Sequence, residues 1–137
     1  MAITSAICNS FKQEILVATH DFTSSTGDTF KLALYTSSAT LGASTTAYSA
    51  TNEITNTAGT AYTAGGEDLT STTPVLDSST AVCDFNDISW TSASFTANGC
   101  LIYNSSKSNI DHGFNAITSC SNITIGWSNS IDLFHNV

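Results

Sequence analysis

The sequence of 137 residues contains no arginine, and its three cationic residues are Lys12, Lys31 and Lys107. Because proteins contact nucleic acids largely through Lys and Arg side chains, three scattered lysines exclude a phosphate-binding patch. The same scarcity argues against an anionic membrane surface and against a phosphate-rich cofactor. We therefore expect no nucleic acid, no membrane and no cofactor among the partners of this chain.

Charge of either sign is also sparse, since 10% of the residues are charged while 41% are hydrophobic. Disordered chains combine low hydrophobicity with high charge, so this composition predicts a folded protein. The length favours one β-rich domain over residues 1–137. The sequence has no basic stretch followed by a long apolar run, and we expect neither a signal peptide nor a membrane span. The expected place of synthesis is the cytoplasm.

Cysteines are few and widely spaced, at positions 8, 83, 100 and 120. No CxxC pair is present, which argues against a zinc site. Four cysteines allow three pairings, but a cytoplasmic chain normally keeps its thiols reduced. The favoured interpretation is that all four are small buried side chains in strands.

One amphipathic helix is predicted over residues 5–19, with Ser5 as its N-cap. Its apolar stripe consists of Ile7, Phe11, Ile15 and Leu16. Residues 30–36 alternate in polarity and predict a half-buried strand. Residues 37–64 contain few large aliphatic side chains, and we expect a surface loop with a short helical turn around residues 46–51.

The second half of the chain predicts several short strands separated by turn residues. A weak strand over residues 68–73 should follow the bend at Gly65-Gly66 and end at Pro74. The strongest hairpin signal is Asn98-Gly99. The other predicted strands cover residues 81–85, 88–90, 94–97, 100–104, 122–127 and 131–134. The pattern indicates a mainly β fold, an antiparallel β-sandwich of jelly-roll type or a barrel, with one short N-terminal helix.

Candidate catalytic and metal-binding groups are thinly distributed. The pairs His20-Asp21 and Asp111-His112 are chain neighbours, which point to opposite faces of a strand, and no GxSxG motif is present. Together with His135 these residues lack the spacing of zinc ligands, and the loop carboxylates Glu67, Asp68, Asp84 and Asp87 form no calcium-binding motif. We expect no enzyme, no catalytic residues and no metal.

Aromatic side chains leave a carbohydrate-binding β-sandwich module as one alternative. Sugar rings stack on exposed aromatic faces, and the candidates are Tyr35, Tyr48, Tyr62, Tyr103, Trp90 and Trp127. The two tryptophans lie in strand-like patterns and are expected in the core.

Five segments in fixed order resemble a family of small structural proteins of tailed-bacteriophage particles. They are FKQEIL (11–16), DTFKLALYTSSATLGASTTAY (28–48), NEI (52–54), AYTAGGEDLT (61–70) and WTSASFTANGCLIYNSSKSN (90–109). The resemblance covers residues 3–109, and the Asn- and Ser-rich residues 110–137 depart from the family pattern. It implies a non-enzymatic virion protein, assembled in the host cytoplasm as a capsid cement or decoration protein; the alternative is a tail or receptor-adhesion component.

The resemblance implies the major capsid protein or other virion proteins as partners, and a homo-oligomer. The 22 Thr and 21 Ser residues in the sequence suit dense contacts between proteins, because short hydroxyl side chains lose little entropy at an interface. A net charge of −8 would repel packaged DNA and favours an outer position. The candidate interface residues are Ile7, Phe11, Ile15, Leu16, Leu41, Tyr48, Ile54 and Tyr62.

Overall fold

The computed structural model describes residues 2–55, 62–90, 95–109, 113–121 and 130–131, and within them the fold is mainly β. The elements are β1 (Ala6–Ile7), α1 (Asn9–Leu16), β2 (Phe30–Tyr35), β3 (Glu67–Leu69), β4 (Ser71–Asp77), β5 (Thr80–Phe85), β6 (Ile88–Ser89), β7 (Gly99–Asn109), β8 (Gly113–Ser121) and β9 (Ser130–Ile131).

A five-stranded antiparallel sheet of order β1-β8-β7-β2-β3 forms the body of the molecule. Two smaller antiparallel pairs, β4-β5 and β6-β9, accompany it. The mainly β expectation with one short N-terminal helix is confirmed. The strands within the described residues form no closed barrel, because β1 and β3 lie at opposite edges of the sheet.

Strand β2 is more deeply buried than its alternating sequence predicts. Of its six residues only Lys31 keeps partial exposure, although the pattern suggests one open face. The ring of Phe22 stacks on Phe30 at 4.4 Å between centroids, and the backbone N–H of Ile54 donates to the carbonyl of Leu34 at 2.8 Å. The strand therefore lies in the centre of the core.

The described part of the loop over residues 37–64 lies at the surface as expected, with residues 49–52 exposed, but it is also anchored in the core. Ala39, Leu41, Ile54 and Tyr62 are buried, and the described part of the loop contains no helical turn near residues 46–51. Backbone hydrogen bonds fix it to the sheet, such as the bond from the N–H of Ala116 to the carbonyl of Thr46 at 3.0 Å. The prediction missed this because contacts of a polar backbone leave no hydrophobic pattern.

The helix is shorter than predicted, since α1 begins at Asn9 with Cys8 at the N-cap position, without a side-chain capping bond. The preceding residues pair with β8 instead, with Ala6 opposite Ser119. Ser5 therefore caps no helix; its hydroxyl accepts a hydrogen bond from the backbone N–H of Ser121 at 3.0 Å. Pairing with the sheet overrides the helical periodicity of this segment.

Two turn predictions were wrong. Pro74 lies inside β4, at a register shift between Thr72 and Val75, where a proline is tolerated because the ladder is already interrupted. Gly99 begins β7 rather than a hairpin turn, and an added Cβ would lie 2.6 Å from the Ile3 side chain. Glycine is required there for close packing. The predicted bend at Gly65-Gly66 is confirmed, since both residues have positive φ.

The cysteine prediction was wrong for one pair, because Cys100 and Cys120 form a disulfide. They lie directly opposite each other in the β7-β8 register, with 5.2 Å between their Cα atoms. Cys8 and Cys83 are free thiols.

The predicted strands over 81–85 and 88–90 correspond to β5 and β6, and β7 covers residues 100–104. The predicted strand over residues 94–97 is wrong in its described part, because residues 95–97 form no strand. Residue 94, residues 122–127 and residues 132–134 lie outside the described part, so the predictions for them remain predictions. Ile131, the first residue of the last predicted strand, pairs with Ile88 in the β6-β9 ladder.

Candidate interaction surface

Strands β4 and β5 form a two-stranded hairpin, which we call the arm (residues 71–85). Among the described residues these strands pair only with each other. The turn at Ser78 and Ser79 joins Asp77 to Thr80, and Ser78 adopts the left-handed conformation with φ 58°. An isolated two-stranded hairpin is marginally stable in water, so the arm needs support from elsewhere.

The outer half of the arm is open to solvent on both faces. Val75 is 60% exposed and Leu76 is 72% exposed, and all residues from 73 to 81 are classed as exposed. Because successive side chains of a strand point to opposite faces, these two neighbours place an apolar group on each side. Among the described residues of the body, none covers either face of the outer arm.

The base of the arm is anchored firmly. Phe85 is buried, and its ring lies 5.5 Å from that of Phe30. The Thr72 hydroxyl donates to the carbonyl of Asp84 at 3.0 Å, and the N–H of Ser24 donates to the Thr73 hydroxyl at 3.1 Å. The arm therefore has a fixed base and an unsupported tip.

The arm carries negative charge without a compensating cation. Asp77 is exposed at the tip and Asp84 is half-buried near the base, while the sequence has no lysine between positions 31 and 107. The Lys31 ammonium lies 2.7 Å from an Asp68 carboxylate oxygen, and that of Lys107 lies 3.4 Å from Asp28. Lys12 donates to the Asn9 side chain at 3.1 Å.

The end of α1 presents a second exposed apolar group, which we call the helix end (Ile15, Leu16 and Val17). Leu16 is the most exposed of the three, at 85%. The predicted interface residues Ile7, Ile15 and Leu16 are all exposed, and Tyr48 is half-buried. Phe11, Leu41, Ile54 and Tyr62 are buried in the core, where they offer no surface in the single subunit.

A buried carboxylate holds the loop against the sheet. The Glu53 side chain accepts hydrogen bonds from the Tyr62 hydroxyl, from the Tyr48 hydroxyl at 2.6 Å and from the N–H of Gly65 at 2.7 Å. The Tyr103 hydroxyl donates to the carbonyl of Gly65 at 2.6 Å. Nothing in the sequence pattern singles out Glu53, since it lies in a polar segment.

All four tyrosines resist ionisation. Burial, followed by the nearby charge of Glu53, raises the pKa of Tyr103 to about 12. Burial is also the largest cause that raises the pKa values of Tyr35, Tyr48 and Tyr62. These residues and the buried Trp90 are parts of the interior, and only Tyr48 retains partial exposure. The tyrosines considered for sugar stacking therefore do not form an exposed platform.

His20 is fully used by structural hydrogen bonds. Its Nε2 lies 2.8 Å from a Glu14 carboxylate oxygen, and its Nδ1 lies 2.9 Å from the Asn104 side-chain nitrogen. Asn104 also donates to Asp28 at 2.8 Å. Both ring nitrogens of His20 therefore have partners within the fold. The chain's other two histidines, His112 and His135, lie outside the described residues.

The described residues bring together no group of three or more His, Cys, Asp or Glu side chains that could hold a metal ion. The free thiols are poor nucleophiles at neutral pH, because burial raises the pKa values of Cys8 and Cys83 to about 11. A shallow groove of about 220 Å³ at the base of the arm is lined mainly by hydroxyl groups and backbone, with Asp28 as its one ionisable residue.

No helix within the described residues combines the length and the apolar character needed to cross a membrane. Comparison of the chain with protein-family models, with curated proteins and with solved structures finds no match.

Proposed function

We propose that this protein is a non-enzymatic structural component of a tailed-phage particle, a capsid cement or decoration protein that binds the major capsid protein. The observation that carries the proposal is the arm, which exposes Val75 and Leu76 on opposite faces of a hairpin. These two side chains are left exposed by the described part of the body and are available for contact with another protein. We infer the location in a phage particle from the resemblance of residues 3–109 to small structural proteins of tailed bacteriophages.

The division of the molecule into a rigid body and an open arm suits an assembly role. The body is tied together by the disulfide and by the hydrogen bonds of Glu53, while the outer half of the arm is exposed beyond its anchored base. A body of this kind keeps its shape before assembly, and the arm gains its missing contacts on docking. The net charge of −8 keeps the free subunit soluble.

The copy number per particle tests this function. In purified particles, quantitative mass spectrometry should find the chain at on the order of hundreds of copies, as an icosahedral shell requires. Particles that lack it should lose integrity at lower temperature than complete particles. A copy number of a few, in a multiple of three or six, would instead favour a tail or receptor-adhesion component.

A second experiment tests the alternative function, that of a carbohydrate-binding module. A carbohydrate-binding module should bind defined glycans on an array and should be absent from purified particles. We expect no glycan binding, because the tyrosines that would stack on sugars are buried or half-buried. Glycan binding that disappears on the substitution Tyr48→Ala, together with absence from particles, would overturn the proposed function.

A further inference from the structure

We propose that the arm binds a different protein, in an apolar groove flanked by lysine or arginine side chains, and does not bind a second copy of this chain. The inference rests on the proposed function and specifies the chemistry of the partner. It follows from three features of the arm: the placement of its apolar side chains, its charge and its interrupted edge.

The apolar side chains require a groove. Val75 faces Val82 across the hairpin, and Leu76 faces Ala81, so the two cross-strand pairs lie on opposite faces. A flat partner surface would cover one pair and leave the other in water. A groove that receives the hairpin edgewise covers both pairs.

The charge requires cations on the partner. Asp77 adjoins Leu76 at the exposed tip, and Asp84 and Asp87 follow near the base. The chain contains no arginine, and its three lysines contact Asn9, Asp68 and Asp28. If two arms packed against each other, each would bring carboxylates and no cation to the contact, because residues 71–85 contain no Lys or Arg. A partner with Lys or Arg beside the groove would neutralise these carboxylates instead.

The outer edge of β4 limits how the arm is held. Pro74 has no N–H to donate, and the register shift beside it disrupts the strand. A continuous backbone ladder along β4 is therefore disfavoured. Side chains inserted into the groove, with charge pairs at its rim, should account for most of the specificity.

Site-specific photo-crosslinking tests the proposal in the cells that naturally produce the chain. A benzophenone amino acid replaces the exposed Ser79 in the turn of the arm, and the control position is the exposed Gln13 on α1. Mass spectrometry of the product from position 79 should identify a peptide of a different protein, with Lys or Arg close to the crosslinked residue. The crosslink at position 13 should be absent or should reach a different peptide.

Matched substitutions separate the contributions of apolar contact and charge. The double variant Val75→Thr and Leu76→Thr keeps strand-forming residues in β4. It should lower the yield of the crosslink from position 79 about tenfold. Asp77→Asn should lower it several-fold, whereas Gln13→Lys, which changes the net charge equally, should not. Circular dichroism and the unfolding midpoint of each variant verify that the body is still folded.

The outcomes distinguish this inference from the proposed function. A crosslink from position 79 to a second copy, or to a peptide without cations, overturns the inference. Equal yields for Asp77→Asn and Gln13→Lys overturn its charge component. A cationic partner that is not a virion protein supports the inference and overturns the proposed function. A chain that is present in particles but gives no crosslink from position 79 overturns the inference alone.

Discussion

At the scale of single residues, Glu53 is the side chain on which the placement of the loop depends. It is buried, and it accepts hydrogen bonds from two tyrosines and from the N–H of Gly65. Glu53→Gln replaces the carboxylate by a neutral amide, so the hydrogen bonds at this position lose their charge and become weaker. We expect the free energy of unfolding to fall by about 2 kcal/mol in urea denaturation. The exposed control Asp87→Asn should have little effect, and equal stability of the two variants would contradict this role.

The disulfide gives a second prediction for single residues. Cys120→Ser removes the bond that joins β7 and β8 across 20 residues of sequence, and should lower the free energy of unfolding by about 3 kcal/mol. Dithiothreitol, which reduces the disulfide, should lower the free energy of unfolding of the wild-type protein by a similar amount. Cys83→Ser, which breaks no bond, serves as the control. If reductant leaves the unfolding curve of the wild-type protein unchanged, the disulfide does not stabilise the fold.

The buried tyrosines predict loss of stability in alkali. Their pKa values in the folded state are raised, that of Tyr103 to about 12, while an unfolded chain releases these protons near pH ~10. The folded state thus binds more protons above pH ~10, so its stability is full below that pH and falls as pH rises through the folded pKa values. Urea denaturation at several pH values, with tyrosinate absorbance, measures this. If these tyrosines form tyrosinate near pH ~10 while the protein is still folded, their side chains are not buried as described.

At the scale of elements, α1 has one buried anchor and an exposed end. Phe11 is buried beside His20 and Phe22, with ring centroids at 5.1 and 6.0 Å. Phe11→Ala should therefore lower the free energy of unfolding by about 3 kcal/mol, because it leaves a cavity in the core. The double variant Ile15→Gln and Leu16→Gln changes only exposed side chains and should shift it by less than about 0.5 kcal/mol. Wild-type stability of Phe11→Ala with impaired particle assembly would assign Phe11 to an interface instead.

The elements also show how far the sequence predicts this fold. The β2 strand and the turn at Gly65-Gly66 were predictable, because they depend on local periodicity and on backbone conformations that favour glycine. The helix start, the loop and the role of Gly99 depend on contacts between distant residues, such as Ala6 with Ser119 and Gly99 with Ile3. Local patterns contain no information about such contacts.

The arm, which is the candidate interaction surface, could not be predicted from local sequence patterns either. Pro74 indicates the end of a strand, yet β4 continues through a register shift to Asp77. The polar residues around Val75 and Leu76 resemble an ordinary turn region, so the sequence gives no reason to select them as interface residues. Only the three-dimensional structure shows that both faces of the outer half of the hairpin are left exposed by the described residues.

At the scale of the whole molecule, hydroxyl side chains and sparse charge produce a body with few ionic contacts and one acidic, apolar projection. The scarcity of cations leaves the carboxylates of the arm without a lysine of this chain. The same property from which we expect no nucleic-acid partner is the one that favours a cationic protein as the partner of the arm. Self-association, expected from the sequence resemblance, would use another surface, of which the helix end is the most exposed.

The central claim is that the protein assembles onto a particle through its arm. Cosedimentation with phage particles that lack the chain measures this directly, with purified wild-type protein and two double variants. Wild-type protein and the Ile15→Gln, Leu16→Gln variant should bind equally, while the Val75→Thr, Leu76→Thr variant should bind about 100-fold more weakly, because two apolar side chains no longer enter the groove. Binding of the arm variant with wild-type affinity, or no binding of the wild-type protein, would contradict the account.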